Sequence, residues 1–112
     1  MKTASLLFSL LFFINATAQD PINQFDANGE RHGLWRKTFE ENPSQVRYEG
    51  TFEHGKEVGT FKFYILGQEN PAAIKVYTRG SDTADVKYLS QKGKVISEGK
   101  MLGEKRIGKW NY

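Results

Sequence analysis

The sequence predicts an all-β protein: a single-layer antiparallel meander of about eight strands, built from successive β-hairpin repeats and preceded by an N-terminal signal peptide. Three observations lead to this fold class. Apolar and polar residues alternate with the period of two that is typical of strands. Short turns rich in glycine separate the alternating stretches, and one stretch recurs at a fixed offset along the chain. After residue 19 no stretch shows the spacing of an amphipathic helix.

Composition sets the scale of the fold. The chain has 112 residues, of which 38% are hydrophobic and 26% are charged, with 11 glycines and no cysteine. This length fits one small domain rather than a multidomain enzyme. The absence of cysteine excludes a disulfide scaffold and a thiolate zinc site. Aromatic residues make up 13% of the chain, too many for a disordered protein, so we expect a folded domain with a thin core.

The N-terminus has the features of an export signal. Lys2 supplies a positive charge, residues 4–14 form an apolar run, and Ala16-Thr17-Ala18 is a small-residue cleavage site. The run is shorter than the roughly 20 residues that span a bilayer, and an uncleaved membrane anchor is the alternative. We therefore predict a signal peptide over residues 1–18 and a repeat domain over residues 19–112. The domain is expected in the periplasm or outside the cell.

The strands are predicted from residues that alternate along the chain. Val46, Tyr48 and Phe52 alternate with polar residues, and Phe61 and Phe63 do the same in the following stretch. The predicted strands lie near residues 22–26, 32–39, 45–53, 58–66, 73–79, 83–90, 94–102 and 107–112.

The connections between these strands carry residues that form turns. Asn28-Gly29 is the strongest hairpin signal, because both central residues of such a turn need a positive φ. Further short turns are predicted at residues 54–56, 80–82 and 103–104. Longer loops join the hairpins, and Pro43 and Pro71 fit in them because proline cannot donate to a central ladder.

One stretch of the domain repeats. Residues 35–63 align with residues 84–112 at an offset of 49 without a gap, so that Gly50 meets Gly99. A shorter offset of 26 residues is also present, which makes the repeating unit about half of the longer offset. Four units then fill the domain, and the third unit, between residues 67 and 92, is degenerate.

The segment from Tyr48 to Phe61 resembles the MORN repeat, in which Tyr-x-Gly-x-aromatic is followed by Gly-x-x-x-Gly. Looser copies that end in Trp35 and Trp110 resemble a bacterial variant found in short exported proteins, with a related branch described as antitoxin-like. The resemblance implies a ribbon of β-hairpins with a non-enzymatic role in scaffolding, self-association or contact with proteins or membranes. The repeat-defining glycines are Gly29, Gly33, Gly50, Gly55, Gly59, Gly99 and Gly108.

Aromatic side chains at matched repeat positions are predicted to line one face of the sheet. Gly33, Gly59 and Gly108 each precede a large aromatic residue by two positions, which either lets a neighbouring ring lie against bare backbone or bends the strand. A single-layer sheet has no second layer, so the face is expected to form the core and, in part, to offer an exposed binding surface. This packing or interaction face comprises Trp35, Phe39, Tyr48, Phe52, Phe61, Phe63, Tyr88 and Trp110.

Charge is divided unevenly along the domain. Residues 19–86 carry a net charge of −3 and residues 87–112 a net charge of +5, so the domain total is small and nucleic acid is not an expected partner. Three interpretations stay open: lysines that protect an edge strand, attraction to an anionic envelope surface, or association between the acidic and basic ends of two copies. The basic patch consists of Lys87, Lys92, Lys94, Lys100, Lys105, Arg106 and Lys109.

Candidate chemistry is sparse. His32 and His54 occupy different positions in the repeat and are expected to be solvated turn residues rather than metal ligands. Neighbouring carboxylates such as Asp82 and Asp85 are expected to be solvated, and no nucleophile motif is present. We therefore predict no catalytic, cofactor-binding or metal-binding residues. The predicted function is that of an exported, non-enzymatic structural or protein-interaction module, and the alternative is a binder of anionic polymers or lipids through the basic C-terminal hairpins.

Overall fold

The computed structural model describes residues 21–112, so the predicted signal peptide lies outside the described residues. The described chain forms one eight-stranded sheet in which the strands follow in chain order and all neighbours are antiparallel. The predicted all-β, single-layer meander is confirmed. Within this part of the chain no helix is long and apolar enough to cross a membrane. The strands are β1 (Gln24–Phe25), β2 (Arg31–Thr38), β3 (Val46–Glu53), β4 (Lys56–Phe63), β5 (Ala73–Tyr77), β6 (Thr83–Leu89), β7 (Val95–Leu102) and β8 (Lys105–Asn111).

The strand boundaries differ from the prediction by up to three residues, since β4 ends at Phe63 rather than at residue 66, and two of the differences lie at tight turns. β4 and β8 begin at Lys56 and Lys105, two residues earlier than predicted, because only two residues connect each of them to the preceding strand. In the β3–β4 turn both connecting residues, His54 and Gly55, have positive φ values of 46° and 87°. Such turns match the twist of the strands they join. Gly29, at φ 80°, lies in the turn between β1 and β2.

Two glycines lie directly beneath aromatic rings. A Cβ atom on Gly50 would overlap the ring of Phe61, and a Cβ atom on Gly99 would overlap the ring of Trp110. The pairing register shifts at both glycines, so each also marks an irregularity in its ladder. Glycine is required at these positions because any side chain would occupy the space of the ring.

The glycines that precede the aromatic residues by two positions play a different part. Gly33, Gly59 and Gly108 have positive φ values of 82°, 72° and 67°, and nothing lies within 4 Å of the place where a Cβ would stand. A positive φ departs from extended strand geometry, so the backbone conformation at these three positions is compatible with the predicted role of bending the strand. The other role, bare backbone beneath a ring, belongs to Gly50 and Gly99 instead.

The core consists of two clusters on one face of the sheet. Tyr77 packs against both clusters and so joins them. In the first cluster Phe52 meets Trp35 and Phe61 edge to face, with ring centroids 6.1 Å and 5.3 Å apart. Edge-to-face contacts are a favourable geometry for aromatic pairs. The buried members are Trp35, Phe52 and Phe61 in the first cluster and Ala84, Val86 and Met101 in the second.

Cross-strand partners share a face of the sheet, and this rule separates two surfaces. The surface that carries the two clusters is the aromatic face. The opposite surface, the outer face, carries a row of residues that are paired one after another from β2 to β8. This row is Arg36, Glu49, Lys62, Ile74, Lys87, Glu98 and Asn111.

Candidate functional site

A groove of about 660 Å³ lies on the outer face over β5 to β8. Its apolar lining comes from Ile74, Val76 and Ile107, and residue Val76 is 41% exposed. The register brings these residues together, since Val76 is paired with Asp85, Asp85 with Lys100, and Lys100 with Ile107. Two strands that are distant in sequence, β5 and β8, therefore contribute apolar residues to one groove, and β6 and β7 between them contribute the charged neighbours.

The charges around this groove are only partly balanced. Nζ of Lys100 donates a hydrogen bond of 2.7 Å to Oδ1 of Asp85, which pairs these two charges. Lys87 is paired across the strands with Glu98, and Lys109 also lines the groove. Among the described residues, neither Lys87 nor Lys109 takes part in an ion pair. The rim therefore carries a small excess of positive charge.

The predicted aromatic residues are mostly packed together rather than free. The buried residues are Trp35, Phe52 and Phe61. The residues that are partly buried against the two clusters are Tyr48, Phe63, Tyr88 and Trp110. Phe39 lies one residue beyond the end of β2 and belongs to neither cluster.

Cationic side chains also lie over the rings of the aromatic face. The guanidinium carbon of Arg31 is 5.1 Å from the ring centroid of Trp35, and that of Arg106 is 4.5 Å from the ring centroid of Trp110. These distances allow cation–π attraction. Because burial and stacked cations occupy much of the aromatic face, the groove on the outer face is the better candidate for binding.

The basic residues near the C-terminus do not form one surface. Lys87, Lys100 and Lys109 line the groove, whereas Arg106 stacks on the aromatic face. The other three lie outside the groove. Lys92 and Lys94 are in the loop between β6 and β7, and Lys105 is the first residue of β8.

A polar cluster joins the β1–β2 and β3–β4 turns. Nδ1 of His54 lies 2.7 Å from Oδ2 of Asp26, and the backbone N–H groups of Asn28 and Glu30 donate to Oδ1 of Asp26. The backbone N–H of His54 donates to Nδ1 of His32 at 3.1 Å, and the two imidazole centroids are 4.4 Å apart. The expectation of solvated turn residues is confirmed for His54, which lies in the β3–β4 turn with its side chain 67% exposed. It is wrong for His32, which lies in β2, is partly buried and contacts His54. They meet because both turns lie at the same end of the sheet.

The hydrogen bonds around Asp26 determine its ionisation. The bond from His54 lowers the pKa of Asp26 most, the backbone N–H of Glu30 lowers it further, and desolvation opposes them. The carboxylate is 7% exposed and the His54 side chain 67% exposed. An imidazole oriented by a carboxylate resembles part of a hydrolase triad, but within residues 21–112 no hydroxyl is hydrogen-bonded to either histidine. Nor does any group of three or more His, Asp or Glu in this range fit a metal ion.

Sequence reasoning missed both the groove and the role of Asp26. β5 carries apolar residues on both of its faces, with Ala73 on the aromatic face and Ile74 and Val76 on the outer face. Apolar residues on both faces of one strand were the signal in the sequence that could have predicted the groove. For Asp26, the signal was an aspartate two residues before Asn28, which is the spacing of an Asx turn.

Comparison with known proteins identifies no relative. No protein-family model matches the chain, and no curated protein and no solved structure matches it either. The function is therefore inferred from the residues and their geometry.

Proposed function

We propose that this chain is an exported, non-enzymatic, MORN-like repeat protein that binds a partner protein through the groove on its outer face. The observation that supports this proposal is the apolar lining of Ile74, Val76 and Ile107 on a surface that is otherwise charged. In the row of paired residues, the ion pair of Asp85 and Lys100 lies between Val76 and Ile107, so apolar side chains flank a pair of charges that already neutralise each other. Protein-binding surfaces commonly combine apolar and polar area in this way.

The rim indicates the chemistry of the partner. Asp85 and Lys100 already neutralise each other, which leaves Lys87, Lys109 and Glu98 to meet the partner. We therefore expect an apolar side chain on the partner to enter the groove, with carboxylates beside it to pair with the two lysines. Charges at the rim of an interface mainly set specificity and the rate of association.

The polar cluster at the turns supports a structural rather than a catalytic role for the histidines. Nδ1 of His54 is used to hold Asp26, and Nδ1 of His32 is used to hold the backbone of His54. Both contacts connect one turn to the next. In this interpretation the cluster fixes the first hairpin to the second and leaves the chemistry of recognition to the outer face.

Site-specific photo-crosslinking in the cells that make the protein tests the proposal. A photoreactive amino acid is placed at Val76 in the groove or, as a matched control, at Val95, which is equally exposed at 40% but does not line the groove. We expect one partner protein to be captured from Val76 and not from Val95. The double variant Lys87→Glu/Lys109→Glu should reduce this capture strongly. Equal capture from both positions would contradict the proposal.

Binding to an anionic lipid or polymer is the second candidate, because Lys87, Lys100 and Lys109 share the outer face. Such binding would rest on charge and would weaken steeply as salt is raised. Co-sedimentation with phosphatidylglycerol vesicles at low and high salt separates the two. We expect little sedimentation at either salt concentration, and strong sedimentation that salt abolishes would favour the second candidate.

A further inference from the structure

β8 offers the one long free edge among the described strands, because it is last in the sheet order. The sheet ends on its other side in β1, a strand of only two residues, and the outer side of β2 is partly covered. β1 pairs with the start of β2, and the Asn23 side chain continues this cover by donating to the C=O of Arg36 and accepting from its N–H. An uncovered edge presents a row of backbone donors and acceptors that another strand can use.

The internal repeat shows what such an edge binds within this protein. β8 is equivalent to β4, since Trp110 lies on Gly99 as Phe61 lies on Gly50, and both hairpins change register at that glycine. β4 has a partner on its far side, because β5 pairs with it in antiparallel fashion. Within the described chain no strand occupies the equivalent place beside β8.

Hydrogen bonds in β4 show which backbone groups face this partner. The C=O of Phe63 accepts from the N–H of Ala72 on the β5 side, whereas the N–H of Tyr64 donates to the C=O of Arg47 on the β3 side. Backbone groups alternate between the two sides of a strand, so Phe61 also points its N–H and C=O at β5.

Each residue of β4 has an equivalent in or directly after β8 at the repeat offset of 49. The same alternation therefore directs the backbone N–H and C=O groups of Gly108, Trp110 and Tyr112 towards the open side of β8. These three residues hold the backbone donors and acceptors that an added strand would use. Four residues of β8 line the groove on the outer face, namely Ile107, Gly108, Lys109 and Asn111. The free edge and the groove are therefore continuous.

The side chains of β5 show which residue an added strand should carry. Tyr77 is paired with Gly59 and meets the ring of Phe61 edge to face, with centroids 5.4 Å apart. Trp110 has no strand on the equivalent side among the described residues and is only partly buried. An aromatic residue placed opposite Gly108 would complete this contact.

The charge of β8 indicates which kind of strand would pair with its free edge. β8 carries Lys105, Arg106 and Lys109, which would repel the β8 strand of a second copy and attract a strand with carboxylates. We propose that β8 binds an extended segment of a partner protein by antiparallel strand addition, with an aromatic residue opposite Gly108 and acidic residues beside it. This inference rests on the proposed function, because it specifies a further part of the same partner.

A synthetic peptide tests the inference. The peptide DAIDVYD copies residues 72–78 around β5, with aspartate at both ends and in place of Lys75. We expect the fluorescently labelled peptide to bind the purified protein. N-methylation of the amides at its second aspartate and its tyrosine, which correspond to Lys75 and Tyr77 and face β8, should weaken binding at least about tenfold. Methylation of its isoleucine and valine amides, which face away, should leave binding nearly unchanged.

Three results would overturn the inference. The first is that the unmethylated peptide does not bind. The second is that both methylated peptides lose affinity to the same extent. The third is a dimer in sedimentation that excludes the peptide, which would assign the edge to a second copy. If the peptide fails while Val76 still captures a partner, strand addition is wrong and the proposed function stands. A protein variant, Lys109→Glu, should weaken peptide binding while circular dichroism remains unchanged.

Discussion

The ring of Phe61 lies directly on the backbone of Gly50, at a place where any Cβ atom would overlap the ring. Trp110 and Gly99 repeat this relationship at the other end of the sheet. A sheet with one layer has no second layer to cover its apolar side chains. Here the rings lie against the strand backbone itself, and with the neighbouring rings of Phe52 and Tyr77 this contact leaves Phe61 only 2% exposed.

Replacing Gly50 with alanine should destabilise the protein by about 1–3 kcal/mol, because the ring of Phe61 must move away from its present position. The measurement is urea unfolding followed by circular dichroism. Thr60→Ala, at an exposed position of β4, is the control and should change the free energy of unfolding by no more than about 0.5 kcal/mol. Equal effects of the two substitutions would show that the ring is not confined by the glycine.

Truncating Phe61 should cost far more than truncating Phe39. Phe61 is buried in the first cluster, and loss of a buried phenylalanine side chain costs about 3–5 kcal/mol. Phe39 lies outside both clusters, so Phe39→Ala should cost about 1 kcal/mol. If Phe61→Ala does not fold, Phe61→Leu should lose less stability, and its free energy of unfolding can be compared with that of Phe39→Leu. A larger loss of stability in the Phe39 variant than in the Phe61 variant would contradict the placement of the core.

The proton of neutral His32 should reside on Nε2. Its Nδ1 accepts the backbone N–H of His54 at 3.1 Å, and a nitrogen that accepts a hydrogen bond carries no proton. Long-range ¹H–¹⁵N correlation NMR distinguishes the two tautomers directly. A proton found on Nδ1 would mean that the contact between the two turns is absent in solution.

Asp26→Asn should lower the midpoint of urea unfolding at neutral pH. The folded pKa of Asp26 is lowered, so the ionised carboxylate stabilises the fold above the unfolded pKa of about 3.9 and loses this effect as pH falls through the folded value. The difference between wild type and variant should therefore be present at neutral pH and disappear in acid. Asp82→Asn, at an exposed position, serves as the control and should have little effect. A difference that persists unchanged in acid would point to a cause other than ionisation.

The sequence by itself determined the strands and their order. Alternation and turn residues placed strands near 45–53 and 94–102, and β3 and β7 span Val46–Glu53 and Val95–Leu102. Both signals are local, because side chains on a strand alternate between faces and turn residues act within a few positions. In a meander each strand pairs with the next along the chain, so the order of strands follows from their sequence.

The tertiary structure decided relationships between residues on different strands. Gly50 rather than Gly59 carries the aromatic ring, Val76 and Ile107 share a groove, and His32 meets His54. Each depends on the register of pairing, and a shift of one residue reverses the face to which a side chain points. The register changes within three of the strand pairs that lie between β2 and β7 and again between β7 and β8. A bulge places an extra residue in one strand of a pair, so it is defined only when two strands are paired, and the folded sheet therefore places the groove and the polar cluster.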